Sequence, residues 1–464
     1  MSFDYKQTDF ETGAEHLGNG RSWTCWGKTR FLILFIGLIC ITCTNANMIL
    51  MNFTVICMND VIIEQKSFSN QTHWLEKSSD ISLTFSAAAV GAIFGTVPAV
   101  TLISKYGIRK VLTVYGLLSA GGTLLMPLAV NYGLIPVLIA RLFQGVGASI
   151  LYSSIGTISE SWSPINEIGT FVAFLSSAFQ ISNIVTMPTA GFLCESSLGW
   201  KSIYYIFGGI TVIFYIIFLW YYNDTPNDHK NVSSTELRTI RDGKIFESSK
   251  HRPQNVKFTQ IFKNWEVFEI SLAIVGGSTS VICLNNYGPI YLNKVLGLNI
   301  RETGYSNAIP YFFAAIVKFA AGPVTDKLAH ISERTRLFIF ALIPQLVMAI
   351  GYLIMSFTDH VIIAQLAYTI SVILAGLNVI GMVKCAQIVA EKHLTLIMAV
   401  ISMSSWVSAF ILPIVIGVIC PTNSHAEWSR FYLFVAFFVV CTNLPFPFLA
   451  RVSKRTKVAP EIKF

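Results

Sequence analysis

Twelve apolar runs, each long enough to cross a bilayer as a helix of about 20 residues, dominate this chain. They cover 31–58, 81–102, 111–130, 134–158, 170–193 and 202–221, then 267–287, 304–324, 337–357, 361–383, 395–420 and 431–450. So many spans leave little chain for a soluble domain. Charged residues make up 12% of the 464 positions, where a soluble protein carries about 25%, and mean hydropathy is +0.59. The missing charge is absent from whole blocks rather than thinned evenly. That pattern specifies an all-α membrane protein whose helices form one bundle.

The runs form two groups of six on either side of a polar segment rich in Lys, Arg, Ser and Asp. The divisions are a tail at 1–30, a six-helix half at 31–221, a central loop at 222–266, a second six-helix half at 267–450 and a tail at 451–464. Six, linker, six is the layout of the major facilitator fold, whose halves are related by an axis along the membrane normal. With the amino terminus in the cytosol, 24 of the 33 Lys and Arg lie on the inner side and 6 on the outer; Arg141, Lys318 and Lys384 fall within helices. The positive-inside rule then predicts both termini in the cytosol. A net charge of +8 needs no nucleic acid partner, because inner-face Lys and Arg facing anionic lipid account for it.

Other features are bland. Cys40, Cys43, Cys57, Cys283 and Cys441 lie in apolar runs and read as small packed residues. No His/Cys cluster has zinc spacing, so neither a metal nor another cofactor is expected. A long polar stretch precedes the first run, which is therefore expected to stay as an anchor helix rather than be removed as a signal. Asn70-Gln71-Thr72, in the first outer loop, is a glycosylation sequon, whereas the sequons at Asn52, Asn223 and Asn231 are expected to be silent.

Arg141 stands out because the run around it, LIPVLIARLFQGVGASILYSSIGTI, has no other ionic group. A charge at that depth costs at least about 2.5–3.5 kcal/mol on insertion scales, so its default reading is a functional group facing a cavity. A guanidinium at the midplane between two halves offers a planar fork matched to carboxylate or phosphate. The alternative is an arginine that caps carbonyls or pairs between helices. Lys384 stands as a second candidate anion contact. Lys318 is placed near the inner end of its run, where anchoring at the interface or pairing with Asp326 accounts for it. Asn285, Asn286 and Tyr287 precede Gly288-Pro289, a helix breaker; they either line a cavity where backbone is exposed or cap a loop.

A repeat occupies matching places in the two halves. Ser104-Lys105-Tyr106-Gly107-Ile108-Arg109-Lys110 follows the second run, and Gly322-Pro323-Val324-Thr325-Asp326-Lys327, with Arg334 and Arg336, follows the eighth. Such a cluster pairs charges across the interface between halves. The first copy lacks the aspartate, so its lock is expected to be weaker.

Several motifs occur in a consistent order: Arg141-x-x-Gln144-Gly145; Trp162-Ser163-Pro164; Pro188-x-x-Gly191; Gly199-Trp200-Lys201; Asp224-Thr225-Pro226; Ile309-Pro310-Tyr311; Pro413-Ile414-Val415-Ile416-Gly417; and Glu427-Trp428. From about residue 29 to 450 the chain resembles the anion/phosphate cotransporter family of the major facilitator superfamily, which includes sialin and the vesicular glutamate transporters. The resemblance implies a monomeric transporter that moves a small organic or inorganic anion by alternating access, either as a symporter or as a facilitator. It also implies a plasma membrane or an endolysosomal or synaptic-type vesicle membrane as its place.

The departures from that family are informative. Its helix 1 arginine falls here at Asn47 or Met48, its helix 2 histidine at Phe85 and its helix 4 glutamate at Ala148; its helix 10 Asn-His-x-x-Asp reads Lys384-Cys385-Ala386-Gln387. Asn47 inherits the place of a substrate contact, and Arg141 alone keeps its charge. No membrane-embedded carboxylate or histidine is left to carry a proton, so sodium coupling or uncoupled movement fits as well as proton coupling. No enzyme signature competes. A transporter fold turned sensor or scaffold, no longer transporting, is the alternative.

Overall fold

The computed structural model describes residues 28–68, 72–164, 167–242, 265–327, 335, 339, 342–389 and 394–444. Within these, the helices are α1 (Thr29–Thr54), α2 (Asn59–Phe68), α3 (Ser78–Tyr106), α4 (Ile108–Tyr132), α5 (Leu134–Ala148), α6 (Leu151–Trp162), α7 (Ile168–Ser176), α8 (Ala178–Glu195), α9 (Gly199–Tyr221) and α10 (Ser234–Arg241). The series continues with α11 (Trp265–Ile290), α12 (Ile300–Lys327), α13 (Ile343–Phe357), α14 (Val361–Val389), α15 (Leu394–Ile419) and α16 (His425–Asn443). Seven helices among the described residues are long and apolar enough to cross a membrane. In that tally α5 with α6, and α7 with α8, each make one span.

The helices run past the apolar stretches that announce them. α3 begins at Ser78 and α12 ends at Lys327, because helical hydrogen bonding continues into the interface where hydropathy has already fallen. Two joints are single glycines: Gly107 (φ +80°) between α3 and α4, and Gly133 (φ +107°) between α4 and α5. A left-handed backbone at one residue turns the chain back at once, and only glycine adopts it without strain. α16 starts with a capping box, in which Ser424 and Glu427 exchange bonds with each other's backbone amides.

Within the amino-terminal half, α4 packs on α5 and α9, α3 on α5, and α1 on α8 and α9. In the carboxyl-terminal half, α13 packs on α14 and α16, α12 on α14, and α11 on α15 and α16. Two long seams join the halves, α3 with α15 and α8 with α12, while α1 touches α11 between them. At the predicted outer end one apolar core runs through both halves, from Phe53, Phe85 and Met187 to Tyr287, Trp428 and Tyr432. Toward the predicted inner end a second core, with Ile41, Leu112, Trp162 and Phe218, belongs to the amino-terminal half, and Trp406 packs against it from the other half.

Two expectations are corrected here. Cys57 is not a packed thiol: it is bonded to Cys194, with Cα atoms 5.9 Å apart, joining the chain after α1 to the end of α8. A pairing of residues 137 apart in sequence leaves no trace in linear spacing. The Gly288-Pro289 pair does not break its helix either. α11 continues through it to Ile290 and passes into a π-helical turn at Tyr291–Val295.

Candidate functional site

Arg141 is only 2% exposed, on α5, where it meets α1 and α3. Its Nε donates to Thr84 O (3.2 Å), and Nη1 donates to Met48 O (2.8 Å) and to Gln144 Oε1 (2.8 Å). Gln144 is held in turn by donating Nε2–H to Thr123 Oγ1. The α5 backbone reaches this depth because glycines remove the steric barrier. A Cβ on Gly145 would collide with Ala88 O, and one on Gly91 with Leu142 O. The three acceptors of Arg141 are neutral, and Nη2 donates no hydrogen bond among the described residues. Among the described residues no carboxylate bonds the guanidinium. The guanidinium thus caps carbonyls, as the alternative reading had it, and keeps one donor edge uncommitted.

That edge lies near the division between the halves. The guanidinium carbon is 6.0 Å from the centre of the Phe85 ring. Phe85 meets Tyr287 of α11 edge to face at 5.2 Å, and the Tyr287 hydroxyl donates to Ser82 Oγ (3.2 Å). Tyr287 also touches Trp428 at 6.1 Å. Asn286 accepts a hydrogen bond across the halves from Asn52 Nδ2 (3.1 Å). Asn285 instead accepts from Tyr311 OH inside the carboxyl-terminal half. Asn47 turns into the amino-terminal half, donating to Thr211 Oγ1 and Ser119 Oγ and leaving its Oδ1 buried without a partner. Arg141 and Tyr287 therefore come together through Phe85, with Asn286 alongside on α11, while Asn47 and Asn285 face into their own halves.

Lys318 departs most from its sequence reading. It lies nine residues before the end of α12, roughly 13 Å along the helix, and is 1% exposed. It therefore neither snorkels nor anchors at an interface. Its Nζ crosses the seam and donates to Ser176 O (2.9 Å) and Gln180 Oε1 (3.3 Å). Ser176 is the last residue of α7, where the fifth span breaks. The Gln180 amide bonds Ser177 O there rather than Ser176 O. The break thus frees a carbonyl, and the ammonium from the other half takes it. A linear reading that measures depth from the edge of an apolar run, and sees no partner in sequence, misses this residue. The polar pair Ser176-Ser177 was the available signal.

At the predicted inner end a carboxylate from beyond α9 meets the first basic repeat. Asp224, just beyond α9, accepts the amide of Arg109 (2.8 Å) and caps α4. The Arg109 side chain donates to Leu219 O and to Asn223 Oδ1. A Cβ at Gly107 would strike the Asp224 carboxylate, so the positive φ and the cap require the same residue. The cap lies within the amino-terminal half and pairs no charge across the interface between halves. Lys105 lies over the Tyr106 ring, and Lys110 follows Arg109 in the first turn of α4. Burial lowers the pKa of the nearby His229 imidazole below its ordinary value. The neutral ring accepts the Asn231 amide at Nδ1 and bonds Tyr221 O through Nε2.

The second repeat is less visible: Gly322 and Asp326 lie on α12 with their side chains outside the described residues, and Arg334 and Arg336 are outside them altogether. Lys384 is on α14, its side chain also outside, and Asn70 is outside. Among the described residues no cluster of His, Cys, Asp and Glu has the grouping of a metal site.

Residues 33–387 match the profile of the Major Facilitator Superfamily. Among curated proteins the chain is 23% identical to sialin of Homo sapiens, over 75% of this chain and 70% of that one. It is 26% identical to sodium-dependent phosphate transport protein 1 of Homo sapiens, over 77% and 78%. Vesicular glutamate transporter 2 of Bos taurus is 24% identical, over 75% of this chain and 60% of that one. Among solved structures, the partially occluded inward-open xylose transporter of E. coli superposes with a TM-score of 0.70 at 17% identity, covering 92% of this chain and 99% of that one. A bacterial homolog of the human lysosomal transporter Spinster, inward-facing, gives 0.65 at 14%, covering 91% and 97%. Both structural likenesses concern the fold.

Proposed function

This chain belongs to the Major Facilitator Superfamily, a family of membrane transporters rather than enzymes, and on that premise we propose that it carries a small organic or inorganic anion by alternating access of its two halves. One observation carries the reading. Arg141 and Lys318 are buried cations, one from each half, whose described hydrogen-bond partners are all neutral. Unbalanced charge in a bilayer-spanning bundle is costly unless a ligand of opposite sign uses it. Anions are also what the named curated relatives carry by title: phosphate and glutamate. Arg141 Nη2 is the donor that first meets the anion, with Phe85 and Tyr287 forming its wall, and Lys384 a further contact.

The Cys57–Cys194 bridge supports the orientation with both termini cytosolic, because it lies at the predicted outer end, where an extracellular or lumenal space is oxidising. Two cationic stations, neither bonded to a carboxylate among the described residues, favour sodium-coupled or voltage-driven movement over proton symport. The test is counterflow in liposomes with inorganic phosphate, L-glutamate and sialic acid, under imposed sodium, proton and voltage gradients in turn. Counterflow of at least one anion, abolished by Arg141→Gln, is the expected result. Saturable binding with no counterflow under any gradient would instead mark the chain as a sensor that keeps the fold.

A further inference from the structure

We infer that Lys318 is a second anion contact that doubles as a strap between the halves, and that the transported anion unfastens it. In this conformation the ammonium on α12 is held by Ser176 O and Gln180 Oε1 of the amino-terminal half. The anion takes the ammonium from these two acceptors, and the seam between α8 and α12 opens there. The inference rests on the anion-transport reading above.

Three features of the seam lead to it. First, the role of filling the broken turn at Ser176 does not call for a charge. A neutral donor such as glutamine reaches across a seam without the insertion penalty of an ammonium. Second, both acceptors are neutral, and an N⁺–H···O⁻ bond is about twice as strong as one to a neutral oxygen. An anion arriving beside Lys318 therefore wins the ammonium from a carbonyl and a carboxamide, whereas a carboxylate in their place would resist it. Third, the bond joins the two halves, and it does so toward the end where the apolar core is no longer shared between them. Releasing it frees α12 from the break between α7 and α8, where one turn lacks its regular hydrogen bond. Binding and opening of this seam become one event, and a loaded carrier is distinguished from an empty one.

Arg141 has no such role. Its bonds stay within the amino-terminal half, so the two cations divide the work. Arg141 receives the anion within one half, and Lys318 couples it to the other.

The test is hydrogen exchange across 173–182 in lipid nanodiscs, with and without inorganic phosphate or L-glutamate, beside liposome counterflow of the same anions. It compares the wild-type chain with Lys318→Met and Lys318→Arg. In the wild type, the anion that moves speeds exchange at 177–181 several-fold. Lys318→Arg keeps that response. In Lys318→Met the segment exchanges fast from the start and the anion changes nothing there, while anion binding is weakened and what remains still depends on Arg141. Flux in the wild type with no exchange response, or a response that survives in Lys318→Met, overturns the strap and leaves anion transport standing. Equal exchange of wild type and Lys318→Met without anion overturns it too. Neither flux nor binding in the wild type overturns both readings.

Discussion

Replacing Arg141 with glutamine separates its two roles, because their energies differ in sign. The substitution removes two interhelical hydrogen bonds, to Thr84 O and Met48 O, and one within α5, to Gln144. Interhelical bonds in membranes average about 0.6 kcal/mol and reach about 1.7, so the two are worth roughly 1.2–3.4 kcal/mol. Removing a buried charge returns about 2.5–3.5 kcal/mol on insertion scales. The sum lies between about 1 kcal/mol of destabilisation and about 2 of stabilisation, which moves the melting temperature by only a few degrees. Ligand binding has no such offset: truncating one member of a desolvated charge pair costs about 2–5 kcal/mol, and 1.4 kcal/mol is tenfold. Arg141→Gln should therefore retain its thermal stability in detergent and lose anion counterflow by at least about 30-fold. Arg141→Lys, which keeps the charge without the fork, should fall between the two. A variant that melts more than about 10 °C lower, yet transports normally per folded molecule, would leave Arg141 as a structural cap with no part in binding.

Gly107→Ala should destabilise the joint between α3 and α4, because it forces φ +80° on an L-residue and drives a methyl into Asp224; a loss of about 1–2 kcal/mol is expected by thermal melting, and Asp224→Ala should partly relieve the collision. Non-reducing peptide mapping should recover a fragment joining Cys57 to Cys194, and Cys57→Ser should lower stability by about 2–4 kcal/mol. The His229 imidazole has a pKa below its ordinary value, so the folded linker prefers the neutral ring. Its stabilising share is full above about pH 6.5 and is lost as the pH falls below it, so protection against hydrogen exchange at 229–241, taken relative to the intrinsic amide rate at each pH, should fall on acidification, and His229→Asn should remove that pH dependence. Glycosidase treatment of the chain expressed in eukaryotic cells should shift its mobility, and Asn70→Gln should abolish the shift.

The helical columns are legible in the sequence because hydropathy reports directly on the solvent each helix must face. Their ends are less so: Ser78 and Lys327 extend α3 and α12 where apolarity has stopped but hydrogen bonding has not. The difference decides Lys318, which is six residues from the end of an apolar run at 324 and nine from the end of α12. Arg141 is legible as an anomaly, since one charge in a bilayer-length run needs a reason. Its acceptors are not, because two of them are main-chain carbonyls, which carry no residue-specific signal. Asp224 reaches the first basic repeat from more than 100 residues away to cap α4, and only the fold of α9 against α4 brings it there. The Cys57–Cys194 pairing was hidden for the same reason.

The approach of Gly191 to Gly304 has a mechanical consequence. Their Cα atoms come close enough that a Cβ on either would lie 3.5 Å from the other's Cα, and one on Gly304 would lie 2.8 Å from Met187 O. Two backbones touching without side chains between them make a fulcrum. Lys318 sits 14 residues farther along α12, a lever arm of about 21 Å. A tilt of about 3° at the glycines moves the ammonium by about 1 Å, enough to stretch its bonds beyond hydrogen-bonding range. The seam is thus geared: a small angular change at one end becomes a broken contact at the other. A methyl at 304 would have to displace the Met187 carbonyl and so shift the pivot.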